Sequence, residues 1–373
     1  MKLLMGMPAS DSLGGPAACE PPFIEELRKM GVQVAEETYV YGDKLTKMTF
    51  SGRSKRVLGA IGRLRRHAKS EELDLIHLNT SFDSRALLRD ALAVSILSAS
   101  HLPIFLKFHG SDPNLLLSKN IELRILQKRL FSRAAGIGVL SSEEKQNFIK
   151  AGLPENKVFL VKNAVCAGTA AVDSKFRQSL NVAAATPLLL FIARLIPAKG
   201  LFDVVKACGI LRNLSFDFRL LCVGDGPERA DAEALVARHH LQSWVRFFGY
   251  IPERETRKFY ANSTMLLFPT YHIEGFPMVI FNAAANGLPI ITTRIRAAAD
   301  YLREPDNCYW VEAKNPEMLA EKIIKLINDT ELRSAMGLKN RALAQRFSAN
   351  TVAPEYVSIY RQLIASKENT SNT

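Results

Sequence analysis

Short apolar runs alternate with helix-length stretches along almost the whole chain, and this alternation limits the fold more than any other feature. MKLLMGMP, VQVAEETYV, LDLIHLN, IFLKFHG, GIGVL and KVFLVKNAV read as strands in the first half. PLLLFIAR, FRLLCVGDG, VRFFGY, TMLLFPT, LPIITT and YWV repeat the pattern in the second. Helical stretches fall between them: Pro22–Met30, Asp83–Leu97, Leu123–Arg133, a segment capped by Ser141 or Ser142 and running through Ala151, Leu201–Arg212, Glu228–His240 and one starting at Glu253. Strands apolar at every position, rather than at every second one, belong to parallel sheets covered by helices on both faces. The expected fold is therefore α/β, with two doubly wound, Rossmann-like domains. The small-residue run KNAVCAGTAAVDSK marks the join, giving a first domain over 1–165 and a second domain over 166–350. In such sheets ligands gather at the carboxyl ends of the strands, and with two domains facing each other the central cleft is the default site.

The chain's 373 residues suit two domains, and 47% hydrophobic content suits packed cores. No apolar run reaches the ~18 residues that a membrane span needs, and the opening residues read as a strand rather than a signal peptide. Five scattered cysteines (Cys19, Cys166, Cys208, Cys222, Cys308) contain no CxxC pair, so neither a disulfide framework nor a zinc site is indicated. A reduced cytoplasmic compartment follows.

The net charge of +12 is concentrated. Residues 44–69 hold nine Lys or Arg and no acid. Arg56 and Arg63 fall on one helical face with Arg66 close by, while Val57, Leu58, Ile61 and Leu64 supply an apolar face. This pattern predicts an interfacial helix on an anionic membrane surface, with peripheral attachment at the inner face of the cell membrane. No aromatic residues interleave with the cations, so nucleic acid is not the expected partner.

Residues suited to chemistry cluster at predicted strand ends. In FIARLIPAKG, Arg194 follows a buried strand and Lys199 precedes Gly200 and a helix. Two fixed cations before a helix N-terminus suit a diphosphate, although a basic surface turn would look the same. In HIEGFPMVIFNAAANGLP, Glu274, Gly275, Phe276 and Pro277 form a turn, Pro277 fits the first helical position, and Gly287 fits the helix end. Gly224 and Gly226 in VGDGP form a polar turn after a strand. Gly14 and Gly15 in SDSLGGPA allow backbone N–H groups to approach a ligand. His109 ends a strand in KFHGSD, and His77, inside an apolar run, reads as structural.

These motifs resemble the family 4 glycosyltransferases, also called glycosyl transferases group 1, over nearly the whole chain. ARLIPAKG is similar to the family's GRLxxxKG, with Ala193 in place of Gly. The Glu274 segment is similar to its Glu-x7-Glu signature, with Asn282 at the second Glu position. The resemblance implies the GT-B fold, in which 1–165 binds the acceptor, 166–350 binds the nucleotide sugar, and a C-terminal helix at about 351–366 returns to the first domain. It implies a retaining transferase that moves a sugar from a UDP- or GDP-sugar to an acceptor hydroxyl, often on a lipid-linked or cell-surface glycan intermediate of polysaccharide or lipopolysaccharide synthesis. By resemblance, Arg194 and Lys199 stabilise the departing diphosphate, Glu274 contacts the donor sugar and His109 faces it. Gly14, Gly15, Gly224, Gly226, Gly275, Phe276 and Pro277 line the donor's seat. No Asp-x-Asp occurs in the chain, which fits a metal-independent reaction without a cofactor beyond the nucleotide sugar.

Asn282 keeps a carbonyl acceptor for the ribose hydroxyls but lacks the charge. On that reading donor affinity falls by ~1 kcal/mol, and Asn282→Glu restores it. RAAADYL, at 296–302, replaces the family's Gly-Gly turn, with Asp300 in place of its acidic residue. Two rivals remain. One is a non-catalytic partner subunit that binds sugar or lipid. The other is an epimerase or phosphorylase of the same fold.

Overall fold

The computed structural model describes residues 1–9, 12–13, 15–39, 43–44, 50–70, 72–166 and 173–371. It divides into two compact units. One comprises Met1–Ala164, Ile273–Phe276 and Ser348–Thr373, and the other Val165–His272 and Pro277–Phe347.

The first unit is built on a six-stranded parallel sheet in the order Gln33–Thr38, Lys2–Met7, Leu75–Phe82, Ile104–Ser111, Gly136–Val139 and Val158–Leu160. Its inner strands are buried along nearly their whole length, as continuous apolar runs require. Helices enter where the sequence offers caps. Asp83 accepts hydrogen bonds from the backbone N–H of Arg85 and Ala86 before the helix Ser84–Leu97, and Ser141 caps Ser142–Lys150 by accepting from Glu144 N–H. The helix Ala349–Ser371 packs against Gly15–Lys29, with Phe23 and Tyr356 ring centroids 4.7 Å apart.

The basic segment forms the helix Phe50–Ser70. Its apolar stripe is turned into this unit's core: Ile61 is 2% exposed and Leu64 fully buried, and both join the cluster around Leu4, Ile76 and Leu78. Only Leu58 is exposed. The stripe expected to face a bilayer therefore faces the sheet, while Arg53, Lys55, Arg65, Arg66 and Lys69 remain exposed on the outside. Among the described residues no helix is long and apolar enough to cross a membrane. Lys47 lies outside the described residues.

The second unit has its own six-stranded parallel sheet in the order Val245–Gly249, Arg219–Val223, Leu188–Ile192, Met265–Phe268, Ile290–Thr292 and Cys308–Trp310. The chain starts at Leu188–Ile192, moves outward to one edge, then returns to the other side of that strand with Met265–Phe268. Strand order reverses between these two neighbours, and that switch point leaves a crevice outside their carboxyl ends.

Candidate active site

In the second unit, the loops that leave the two switch-point strands are tied together by one carbonyl. Ala198 adopts a left-handed backbone, φ +73°. Its carbonyl oxygen accepts from Tyr271 N at 2.8 Å, His272 N at 2.9 Å and Thr270 Oγ1 at 3.0 Å. Gly200 follows at φ +83°, where a Cβ would stand 2.4 Å from the Pro269 carbonyl oxygen, so only glycine lets the helix Leu201–Asn213 start against that loop. Lys199, between them, is 7% exposed, with Nζ 5.6 Å from the centre of the Phe268 ring. Arg194, nearer the strand end, is exposed. Both predicted cations thus sit in one crevice loop, immediately before a helix N-terminus.

The VGDGP turn backs this loop. Ala193 N donates to Val223 O at 3.0 Å, Leu195 N to Asp225 O at 2.9 Å, and Glu228 N to Leu195 O at 3.0 Å. The two backbones run so close that a Cβ at Gly224, φ +131°, would lie 1.8 Å from the Ala193 oxygen. At Gly226 it would lie 2.3 Å from the Leu195 oxygen. These glycines hold the cation loop in place.

The helix after the Glu274 turn spans Met278–Ala285, with Pro277 at the N-cap, one place before its expected first-turn position. Ala283, Ala284 and Ala285 are buried, so the helix lies close on its neighbours. Gly287, φ +72°, ends it, with its N–H on Ala284 O. Glu274 is partly buried and Phe276 buried. Ile273–Phe276 groups with the first unit, where a Cβ on Gly275 would stand 2.5 Å from the His109 carbonyl oxygen. Asn282 donates through Nδ2 to Glu253 Oε1 at 2.8 Å. The RAAADYL segment forms a short helix, Arg296–Tyr301, that contains Asp300.

In the first unit, His109 belongs to a buried polar cluster. Its Nε2 is 3.0 Å from Asn79 Oδ1 and 3.4 Å from Glu20 Oε1. Lys107 Nζ lies 2.6 Å from the same Glu20 oxygen, with the Lys107 side chain 2% exposed and Glu20 fully buried. Burial pushes the Glu20 carboxyl up, but the Lys107 charge and the His109 hydrogen bond outweigh it and hold the group well below the usual carboxylate range. Burial, aided by Lys107, lowers the His109 pKa to about 4, and burial lowers that of His77 to about 3. His109 is therefore neutral near pH 7. His77 Nδ1 pairs with Tyr360 of the C-terminal helix at 2.6 Å. Gly15 starts the helix Gly15–Lys29, and Gly14 lies outside the described residues.

Residues 172–343 match the glycosyl transferases group 1 family, and residues 23–167 match glycosyltransferase family 4. The chain belongs to the family 4 glycosyltransferases. It is 28% identical over 298 residues to an uncharacterized glycosyltransferase of Methanocaldococcus jannaschii, covering 79% of this chain and 77% of that one. It is 26% identical over 203 residues to a capsular polysaccharide biosynthesis glycosyltransferase of Staphylococcus aureus, covering 53% of this chain and 51% of that one. The solved structure of Anabaena HepE in complex with UDP-glucose superposes with a TM-score of 0.74 at 19% identity, covering 97% of this chain and 99% of the other. That likeness places the fold among the GT-B structures.

Several residues of this glycosyltransferase's polar centres carry no motif in the sequence. Lys107 reads as one charge in an apolar strand, and its partner Glu20 comes from a helix 87 residues away. Ala198 and Glu253 were equally silent. Cys19, Glu20 and His109 bring three ligand-type atoms within 4.8 Å of one another. The Lys107 ammonium already fills the cation's place on Glu20, so a metal there would compete with a buried ion pair.

Proposed function

We propose that this glycosyltransferase moves a sugar from a UDP- or GDP-sugar to an acceptor hydroxyl, with retention of anomeric configuration and without a metal ion. The observation that carries the reading is the Ala198 carbonyl. It fixes the loop bearing Arg194 and Lys199 against the loop after Thr270, at the switch point where a parallel sheet receives its ligand. Breaking the bond to the nucleotide builds negative charge on the departing diphosphate. A buried Lys side chain, a guanidinium and the N-termini of the helices Leu201–Asn213 and Met278–Ala285 are suited to that charge before it forms, so little reorganisation is needed as the bond breaks. Glu274, on the turn leading to the second of these helices, serves the donor sugar. His109, neutral, offers the sugar a hydrogen bond that does not titrate near pH 7.

The acceptor reading is a lipid-linked or cell-surface glycan intermediate of polysaccharide synthesis. The Staphylococcus aureus relative and the exposed cations of the helix Phe50–Ser70 support it. With Ile61 and Leu64 committed to the core, attachment to an anionic membrane would rest on charge, with little apolar insertion.

The test is release of nucleoside diphosphate from a panel of UDP- and GDP-sugars, with and without glycan acceptors. Acceptor-dependent release from one donor is expected, and Lys199→Ala and Glu274→Ala should each lower it at least a hundredfold in folded protein. No release from any donor would instead favour a non-catalytic partner subunit. Full activity in both variants would overturn the site assignment.

A further inference from the structure

Asn282 and Glu253 meet although 29 residues separate them. Asn282 lies in the second turn of the helix Met278–Ala285, and Glu253 is the first residue of the helix Glu253–Asn262. The two helices follow different strands of the second sheet. Glu253 comes four residues after Gly249, which is bridged to Gly224 in the turn that backs the Arg194 loop. The amide–carboxylate pair therefore lies past the carboxyl ends of the second sheet's strands, the end from which the loops with the two cations also leave.

Several features make this pair a built feature of the crevice. Glu253 is exposed as a residue, so a ligand can reach it, yet protein crowds the carboxyl group. Burial pushes its pKa up and the Asn282 hydrogen bond draws it back toward the charged form. Tyr260, on the same helix, feels both: burial and then the Glu253 charge raise its phenol pKa, and the Asn282 amide opposes them. A carboxylate at 282 would stand within hydrogen-bond distance of the Glu253 carboxylate, and two such groups do not both ionise. The amide solves this, because Asn donates to Glu253 at any pH, where an ionised Asp or Glu cannot.

In doubly wound sheets that bind dinucleotides, a carboxylate at the strand ends accepts a ribose hydroxyl, so the chemistry has a precedent in this architecture. We propose that Glu253 is that carboxylate here, accepting the ribose hydroxyls of the donor, and that Asn282 is the positioning residue that holds it. The inference rests on the reading of the second unit as the seat of the nucleotide.

Calorimetric binding of UDP and GDP, each compared with its 2′,3′-dideoxy form, tests it. Wild type should prefer the ribose form of whichever nucleotide it binds by tenfold or more. Glu253→Gln should bind that form about tenfold more weakly, bind the dideoxy form as wild type does, and so lose the preference. Lys199→Ala should weaken both forms alike and keep the preference. The exchange E253Q/N282E, which returns a carboxylate to 282 with an amide to donate to it, should regain the preference. A Glu253→Gln protein that still discriminates as wild type does overturns the inference while leaving the nucleotide seat intact. A wild type that binds neither UDP nor GDP removes the seat, and the inference with it.

Discussion

Replacing Lys107 by Met tests the buried centre of the first unit directly. Lys107 Nζ sits 2.6 Å from Glu20 Oε1, with the two side chains 2% and 0% exposed. The ammonium also lies 5.3 Å from the Tyr356 ring centre and 5.6 Å from that of Phe23, so a methionine finds an aromatic seat of suitable size. Packing is thus largely kept and the charge alone is lost. Removing one partner of a buried ion pair typically costs about 3–5 kcal/mol, because the other charge stays behind without compensation. For a unit of this size that lowers the thermal midpoint by roughly 10 °C. The Glu20 carboxyl, left with burial opposed mainly by its hydrogen bond to His109, should shift upward in pKa. Urea unfolding followed by fluorescence and circular dichroism gives the stability change. The variant E20Q/K107M supplies the control: with no charge left to bury, it should recover at least ~2 kcal/mol of the loss. A Lys107→Met protein within ~1 kcal/mol of wild type, or a double variant whose loss is simply the two single losses added, would show that the pair is not coupled and that the buried-charge reasoning is wrong.

Other outcomes follow from the same structure. His77 and His109 have folded pKa values of about 3 and about 4, below the unfolded 6.5. The unfolded chain therefore takes up protons first as pH falls, and stability that is complete above pH ~6.5 should decline toward pH 4 by up to ~1.4 kcal/mol per unit for each histidine, measured by urea midpoints across that range; a flat profile from pH 7 to 4.5 contradicts the burial argument. Glu20, whose folded pKa is depressed, adds stability that is present above its unfolded value and lost as pH drops below it. Gly224→Ala would force a Cβ to 1.8 Å from the Ala193 oxygen and should cost ~3 kcal/mol or more in the second unit's unfolding transition, whereas Gly62→Ala, on the exposed face of a helix with nothing within 4 Å, should be neutral or stabilising. Asn282→Glu should weaken nucleotide binding at pH 8 by setting two carboxylates against each other, and a gain in affinity would restore the simpler reading of position 282. Sedimentation with vesicles of about 30% phosphatidylserine should pull the protein down at low salt and release it at ~0.5 M salt, and R65E/R66E/K69E should abolish the effect; salt-resistant binding would point to apolar insertion instead.

The sheets were legible because parallel strands are buried on both faces and leave unbroken apolar runs, and helix starts were legible where a side chain caps them, as Asp83 and Ser141 do. Glycines that admit a backbone were visible too, although Gly224 proved to admit the chain's own Ala193. The helix Phe50–Ser70 shows the limit of periodicity. A 3.6-residue pattern reports that a helix has an apolar face and leaves open what covers it. Ile61 and Leu64 fit a bilayer as well as they fit a sheet, and the fold gives them the sheet. Ala198 could not be singled out, since a left-handed alanine runs against local preference and is tied in place by contacts distant in sequence, among them the three bonds its carbonyl accepts.

Position 282 carries the same lesson into function. Read alone, an asparagine at the second position of a Glu-x7-Glu signature is a weakened acceptor. Read with its neighbour, it is the residue type that a carboxylate at 253 demands, because the site tolerates one negative charge and needs a donor beside it. What must persist in such a site is a charge near the ribose, and that charge can come from either of two helices once their side chains touch. A substitution at one position then predicts its complement at the other, and the pair has to be exchanged together for the charge to change helices without being lost or doubled.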